Sequence, residues 1–89
     1  MTLSRSWGLQ IDPGVLKALK KIPRHNAGAI LSVMRLLPLD PYFGDIQKMR
    51  GVENAWRRRV GAYRLFYKIY MVEKIVLVFR LERRTSKTY

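Results

Sequence analysis

The stretch Ala55-Trp-Arg-Arg-Arg-Val60-Gly-Ala-Tyr63-Arg-Leu-Phe-Tyr-Lys-Ile-Tyr70 decides the fold. Side chains here alternate with a period of two, the signature of a β-strand. Gly61-Ala62 interrupts the alternation where a two-residue hairpin turn fits, with glycine at a position that needs positive φ. Strands are therefore expected at 55–60 and 63–70. The turn pairs Val60 with Tyr63, Arg59 with Arg64 and Arg57 with Phe66. Arg57 and Arg59 share one strand face, about 6.6 Å apart, and Arg64 joins them from across the hairpin. Like charges directly opposite each other on paired strands are destabilising, so an anion seated between the guanidiniums is the reading that justifies them. A solvated sheet face is the simpler alternative. Each guanidinium presents a planar fork suited to phosphate oxygens. Phe66 beside them either stacks a base or packs. Alternation puts Arg58 on the other face with Trp56, Val60, Tyr63, Leu65 and Tyr67. Its stem is expected to pack and its head to snorkel to an edge.

Downstream, residues 75–81 read as a further strand. Its inward set is expected to be Ile75, Leu77, Phe79 and Leu81, which keeps Arg80 out of the core. Arg83, Arg84, Lys87 and Tyr89 follow in a basic tail. Upstream, residues 38–54 hold Pro38, Pro41, Gly44 and Gly51 and read as a loop. The Lys48-Met49-Arg50-Gly51 segment there supplies two more cations. Before it, Asn26 is expected to cap a helix running through Leu37, ended by Pro38. An earlier helix starts after Asp12-Pro13, an N-cap followed by proline at the first helical position, and runs to about Ile22 before Pro23. Trp7, Leu9 and Ile11 alternate as a short opening strand. The order is β-α-α-β-β-β, an α+β layer pair with a helical hairpin on one face of a mainly antiparallel sheet. Residues 1–89 are read as a single domain.

The chain has 89 residues with 18 Lys/Arg against 6 Asp/Glu, a formal charge of +12. Residues 50–89 carry eleven of those cations and three of the acids. So large an imbalance points to a polyanionic partner, most simply a nucleic acid, an anionic membrane or an acidic protein. There is no cysteine and one histidine, His25, which excludes disulfides, a thiol nucleophile and His- or Cys-based metal sites. His25 is placed as a surface residue of the turn between the helices. No apolar run reaches membrane-spanning length, so a soluble cytoplasmic protein without metal or cofactor is expected.

Taken together, the Leu16-Lys-Ala-Leu-Lys-Lys-Ile22 helix, the Lys48–Gly51 loop, the Trp56-Arg57-x-Arg59-Val60-Gly61-x-Tyr63-Arg64-x-x-Tyr67 hairpin and the Arg83…Tyr89 ending resemble the RelE/ParE toxin superfamily over about residues 9–89. The resemblance implies the small α+β toxin fold and a cognate, RelB-like antitoxin with an acidic segment, as a toxin–antitoxin hetero-oligomer. RelE-like members cleave mRNA in the ribosomal A site, whereas ParE-like members inhibit DNA gyrase. Arg57, Arg59, Arg64, Arg83 and Tyr89 stand where RelE-like toxins carry catalytic groups. This favours a metal-independent endoribonuclease acting through the ribose 2′-OH, with ribosome and mRNA as partners. Lys48, Arg50, Phe66, Arg84 and Lys87 are the accompanying RNA-binding candidates. A gyrase inhibitor and an inactive basic nucleic-acid-binding module are the alternatives. Arg57 and Arg59 replace lysines of some members, and Arg58 replaces an aliphatic residue. The first change leaves the proton-transfer groups open. Tyr89 serves either proton transfer or base stacking. Arg83 either donates to the leaving group or holds a phosphate.

Overall fold

A computed structural model describes residues 7–84. The elements are β1 (Gly8–Ile11), α1 (Pro13–Leu19), α2 (Arg24–Leu36), β2 (Ile46–Lys48), β3 (Ala55–Val60), β4 (Tyr63–Tyr70) and β5 (Ile75–Arg83). They form a five-stranded sheet in the order β1-β5-β4-β3-β2. Only β1 runs parallel to its neighbour, β5; the other pairings are antiparallel. Both helices lie on one sheet face, which confirms the α+β reading.

Asp12 caps α1 by accepting the Gly14 N–H at 2.8 Å, and Pro13 opens the first turn. The helix ends at Leu19 rather than Ile22. Pro23 explains the early stop, because it has no N–H to donate to Leu19 and disfavours helical backbone at Ile22. The second helix starts two residues ahead of Asn26, with Pro23 in the cap position and no side-chain cap; Ala27 N–H reaches Pro23 O at 2.9 Å. Val15, Leu19, Ile30, Val33, Met34 and Leu37 lie buried against Tyr63, Leu65, Tyr67, Ile69, Val76 and Val78. Leu16 is 45% exposed, since the two-turn helix lays only its Val15/Leu19 stripe on the sheet.

The β3–β4 hairpin has the expected register, Val60 opposite Tyr63, Arg59 opposite Arg64 and Arg57 opposite Phe66, with Gly61 at φ 58°. The expected parity of β5 is overturned: Val76 and Val78 point inward and are fully buried. A register shift then pairs Tyr67 with Val78 but Phe66 with Arg80, leaving Phe79 as the extra residue. This bulge returns Leu81 to the core side and turns Arg80 outward. The sheet thus keeps Arg80 out of its apolar layer by inserting a residue rather than by choosing the other face.

The loop reading of 38–54 also needs correction. Ile46–Lys48 forms the edge strand β2, with Ile46 opposite Arg58, Gln47 opposite Arg57 and Lys48 opposite Trp56. Three residues are too few for periodicity to register, yet they extend the sheet beside the arginine strand.

Candidate functional site

On the sheet face turned away from the helices, one cross-strand row follows from the register. Arg59 lies opposite Arg64, and Arg64 opposite Glu82. Asp45 continues the row on the other side, one residue before β2, where its carbonyl accepts the Arg59 N–H at 3.1 Å. The neighbouring row is Gln47, Arg57, Phe66, Arg80. Asp45, Gln47, Arg57, Arg59, Arg64 and Arg84 line a cavity of about 130 Å³. Arg57, Arg64 and Arg84 are half-buried and Arg59 is exposed.

Two of these guanidiniums are held in place. Arg57 donates from Nε at 3.2 Å and from Nη2 at 2.6 Å to Gln47 Oε1. Arg84 donates from Nη1 to the Gly61 carbonyl at 3.1 Å, and its backbone N–H donates to Ala62 O at 2.6 Å. Glu82 is ion-paired with Arg80, the single ion pair among the described residues. The cavity therefore offers four converging guanidiniums, two of them pre-oriented, with their Coulombic field directed at one small volume. Such a set stabilises a phosphate or a developing phosphorane charge. No group of three or more His, Asp or Glu side chains positioned for a metal ion occurs among the described residues.

The remaining candidates fall elsewhere. Arg83 does not join the trio. It pairs with Tyr63 on the helix side and lines a separate depression with Ala18, Lys21, Ile22, Pro23, Tyr63 and Leu81. Strand alternation places Arg83 and Arg84 on opposite faces, and it is Arg84 that reaches the cavity. Phe66 is buried (6% exposed), with its ring against Phe79 at 6.3 Å and Arg80 above it at 5.7 Å. It is a packing residue, not an open stacking platform. Lys48 and Arg50 flank an adjoining depression that shares Gln47 and Arg57 with the first. His25 lies exposed in the first turn of α2. Lys87 and Tyr89 lie outside the described residues. Asp45 and Gln47 escape a reading of the sequence because treating 38–54 as a loop gives them no face. The polar–apolar alternation of Asp45-Ile46-Gln47 is the available signal.

Arg58 occupies the helix face as alternation requires, but its head is covered. Nη1 donates to Phe43 O at 2.9 Å, the guanidinium lies 4.2 Å from the Phe43 ring centre, and Gly44 packs directly against it. Its Nε is buried without a hydrogen-bond partner. Nearby, Tyr67 Oη donates to Pro41 O at 3.1 Å. Burial pushes the Tyr67 phenol up to about 12, with Arg58 opposing and Asp40 and Tyr42 adding to the rise. Together Arg58 and Tyr67 fasten the loop that leads into Asp45 and β2.

This architecture, a helical hairpin on a five-stranded sheet with a cationic cavity on the bare face, defines a small basic α+β protein. The family model described as the ParE toxin of type II toxin–antitoxin systems matches residues 9–87. A curated protein of Methanocaldococcus jannaschii, provisionally named toxin RelE1, is 25% identical over 81 residues, spanning 88% of this chain and 90% of that one. Among solved structures, the archaeal RelE–RelB complex from Pyrococcus horikoshii aligns with a TM-score of 0.80 at 24% identity, over 93% of this chain and 100% of that one. The isolated E. coli RelE toxin aligns at 0.78 and 18% identity, over 92% of this chain and 88% of that one. The chain belongs to the ParE toxin family of type II toxin–antitoxin systems, within the RelE/ParE superfamily.

Proposed function

We propose that this toxin is a ribosome-dependent endoribonuclease that cuts mRNA in the ribosomal A site and so stops translation in the cytoplasm. The observation that carries the reading is the convergence of Arg57, Arg59, Arg64 and Arg84 on one cavity. In the proposed reaction the ribose 2′-oxygen attacks the adjacent phosphorus and the 5′-oxygen leaves. Negative charge grows on the non-bridging oxygens, where the guanidiniums are aimed. Removing one well-placed donor of this kind costs about 10²–10³ in rate. The ribosome's part is to hold the mRNA in line for attack, which a shallow cavity on an 89-residue chain supplies poorly alone. Lys48 and Arg50 extend the cationic path along the RNA backbone. Tyr89 is assigned to proton transfer or stacking by family resemblance, and Tyr89→Phe against Tyr89→Ala separates the two. A RelB-like antitoxin with an acidic segment is the proposed partner, since the +12 chain attracts such a segment and can order it.

Gyrase inhibition is the second reading, favoured by the ParE description of the matching family model. Mapping mRNA 5′ ends after induction, beside a supercoiling assay with purified gyrase, decides between them. New 5′ ends inside translated reading frames, lost in Arg59→Ala, are expected. Intact mRNA with blocked supercoiling would overturn the nuclease reading.

A further inference from the structure

The arginine cavity contains one carboxylate, and the proposed reaction needs one base. We propose that Asp45 is the general base that takes the 2′ proton, an inference that rests on the nuclease reading above. Of the side chains that line the cavity, four are guanidiniums and one is the Gln47 amide. Arginine stays protonated at every working pH and an amide does not titrate. Asp45 is the one carboxylate among them, and so the one side chain of the lining with a basic oxygen to take up a proton.

The strand geometry supports the assignment. The Arg59 N–H holds the Asp45 carbonyl at 3.1 Å, which extends the β2–β3 ladder by one residue. Ile46 packs toward the core, so alternation turns Asp45 and Gln47 to the arginine face. The two ends of the row differ. At one end, Glu82 is committed to Arg80 in an ion pair. At the other, Asp45 lines the cavity and forms no ion pair among the described residues, although Arg57, Arg59, Arg64 and Arg84 line it too. A carboxylate needed only to offset the Arg59–Arg64 repulsion would be expected to close on one of them.

The step balances. Asp45 takes the proton from the 2′-OH as the 2′-oxygen–phosphorus bond forms. The phosphorus–5′-oxygen bond breaks, and the 5′-oxygen takes a proton from water. The products are a 2′,3′-cyclic phosphate and a 5′-hydroxyl, and Asp45 returns its proton to solvent.

The test is single-turnover cleavage of mRNA on programmed ribosomes by the full chain, as a function of pH, beside ribosome-binding affinity. Asp45→Asn should lose about 10²–10⁴-fold in rate while binding at least as tightly as wild type, because it removes a charge that repels phosphate. It should also lose the limb along which the wild-type rate rises with pH. Asp45→Glu, which keeps the carboxylate, should retain that limb and recover part of the rate. If Asp45→Asn folds poorly, the Glu variant carries the test: loss of the limb there overturns the assignment. Wild-type rates in Asp45→Asn, or a slower rate with the limb intact, overturn it as well. A wild-type chain that cuts no mRNA overturns the nuclease reading and the base with it, whereas cutting that ignores Asp45→Asn removes the base alone.

Discussion

On the face covered by the helices, Leu65, Tyr67, Ile69, Val76 and Val78 are buried, and the arginine among them, Arg58, has a carbonyl and an aromatic ring for its head. On the opposite face of the same strands, Arg57, Arg59 and Arg64 share a cavity, and the Arg59–Arg64 row has acids at both ends. One alternation writes both faces, and what lies over each decides what arginine does there. A covered guanidinium must find acceptors inside the protein, because burying it unpaired is costly. Arg58 therefore serves structure, fastening the 43–44 loop. An uncovered one keeps water, and its forks remain available to a ligand. The contrast extends to stability, which should rest on the helix face, and to chemistry, which should rest on the open one.

The sharpest attack on that contrast is Leu65→Ala. This side chain is fully buried, and its loss should cost about 2–5 kcal/mol in urea unfolding. A smaller loss than from any open-face arginine would break the comparison. Next comes Gly44→Ala. Gly44 has φ +87° and a Cβ there would collide with the Arg58 guanidinium. The backbone part alone should cost about 1–2 kcal/mol, with the collision added. In an Arg58→Leu background the penalty should fall toward that backbone part, and a double-mutant cycle by denaturation measures the difference.

Tyr67→Phe should cost about 1–3 kcal/mol, because it leaves the Pro41 carbonyl without its buried donor. The same residue predicts a pH effect. Its phenol titrates at about 12 when folded against 10.0 ordinarily. Its contribution is therefore complete below pH 10 and is lost as pH climbs from 10 toward 12, where the unfolded chain releases the proton first. Alkaline unfolding curves of Tyr67→Phe should lack that part of the decline. The smallest effect is expected from Arg64→Ala. Removing one of two arginines directly opposite each other should leave stability unchanged or raise it by about 0.2–1 kcal/mol, read as a melting shift. A marked loss of stability would mean that the open face is structural after all.

Much of this is legible in the chain. The hairpin register needs only the alternation of 55–70 and one glycine, and that register alone puts Arg57, Arg59 and Arg64 on a shared face. The start of α1 is equally local, set by Asp12 and Pro13. Local signals fail where the outcome depends on a partner strand. Residues 46–48 are a strand only because β3 offers them an edge, so the alternation of Asp45-Ile46-Gln47 is too short by itself to assign them a face. Val76 and Val78 face inward because pairing with β4 and the bulge at Phe79 set the parity, which no property of residues 75–81 alone reveals. For the same reason Arg84, not Arg83, enters the cavity.

The amino-acid order was thus sufficient for the elements whose stabilising contacts lie within a few residues: the capped first helix, the tight hairpin and the concentration of positive charge in the second half. Tertiary structure decided which face β5 shows to the core, that 46–48 joins the sheet edge, what covers the Arg58 head, and which carboxylate stands among the arginines. Those outcomes are set by hydrogen bonds and packing between segments far apart in the chain. A strand's two faces differ in energy only once something covers one of them.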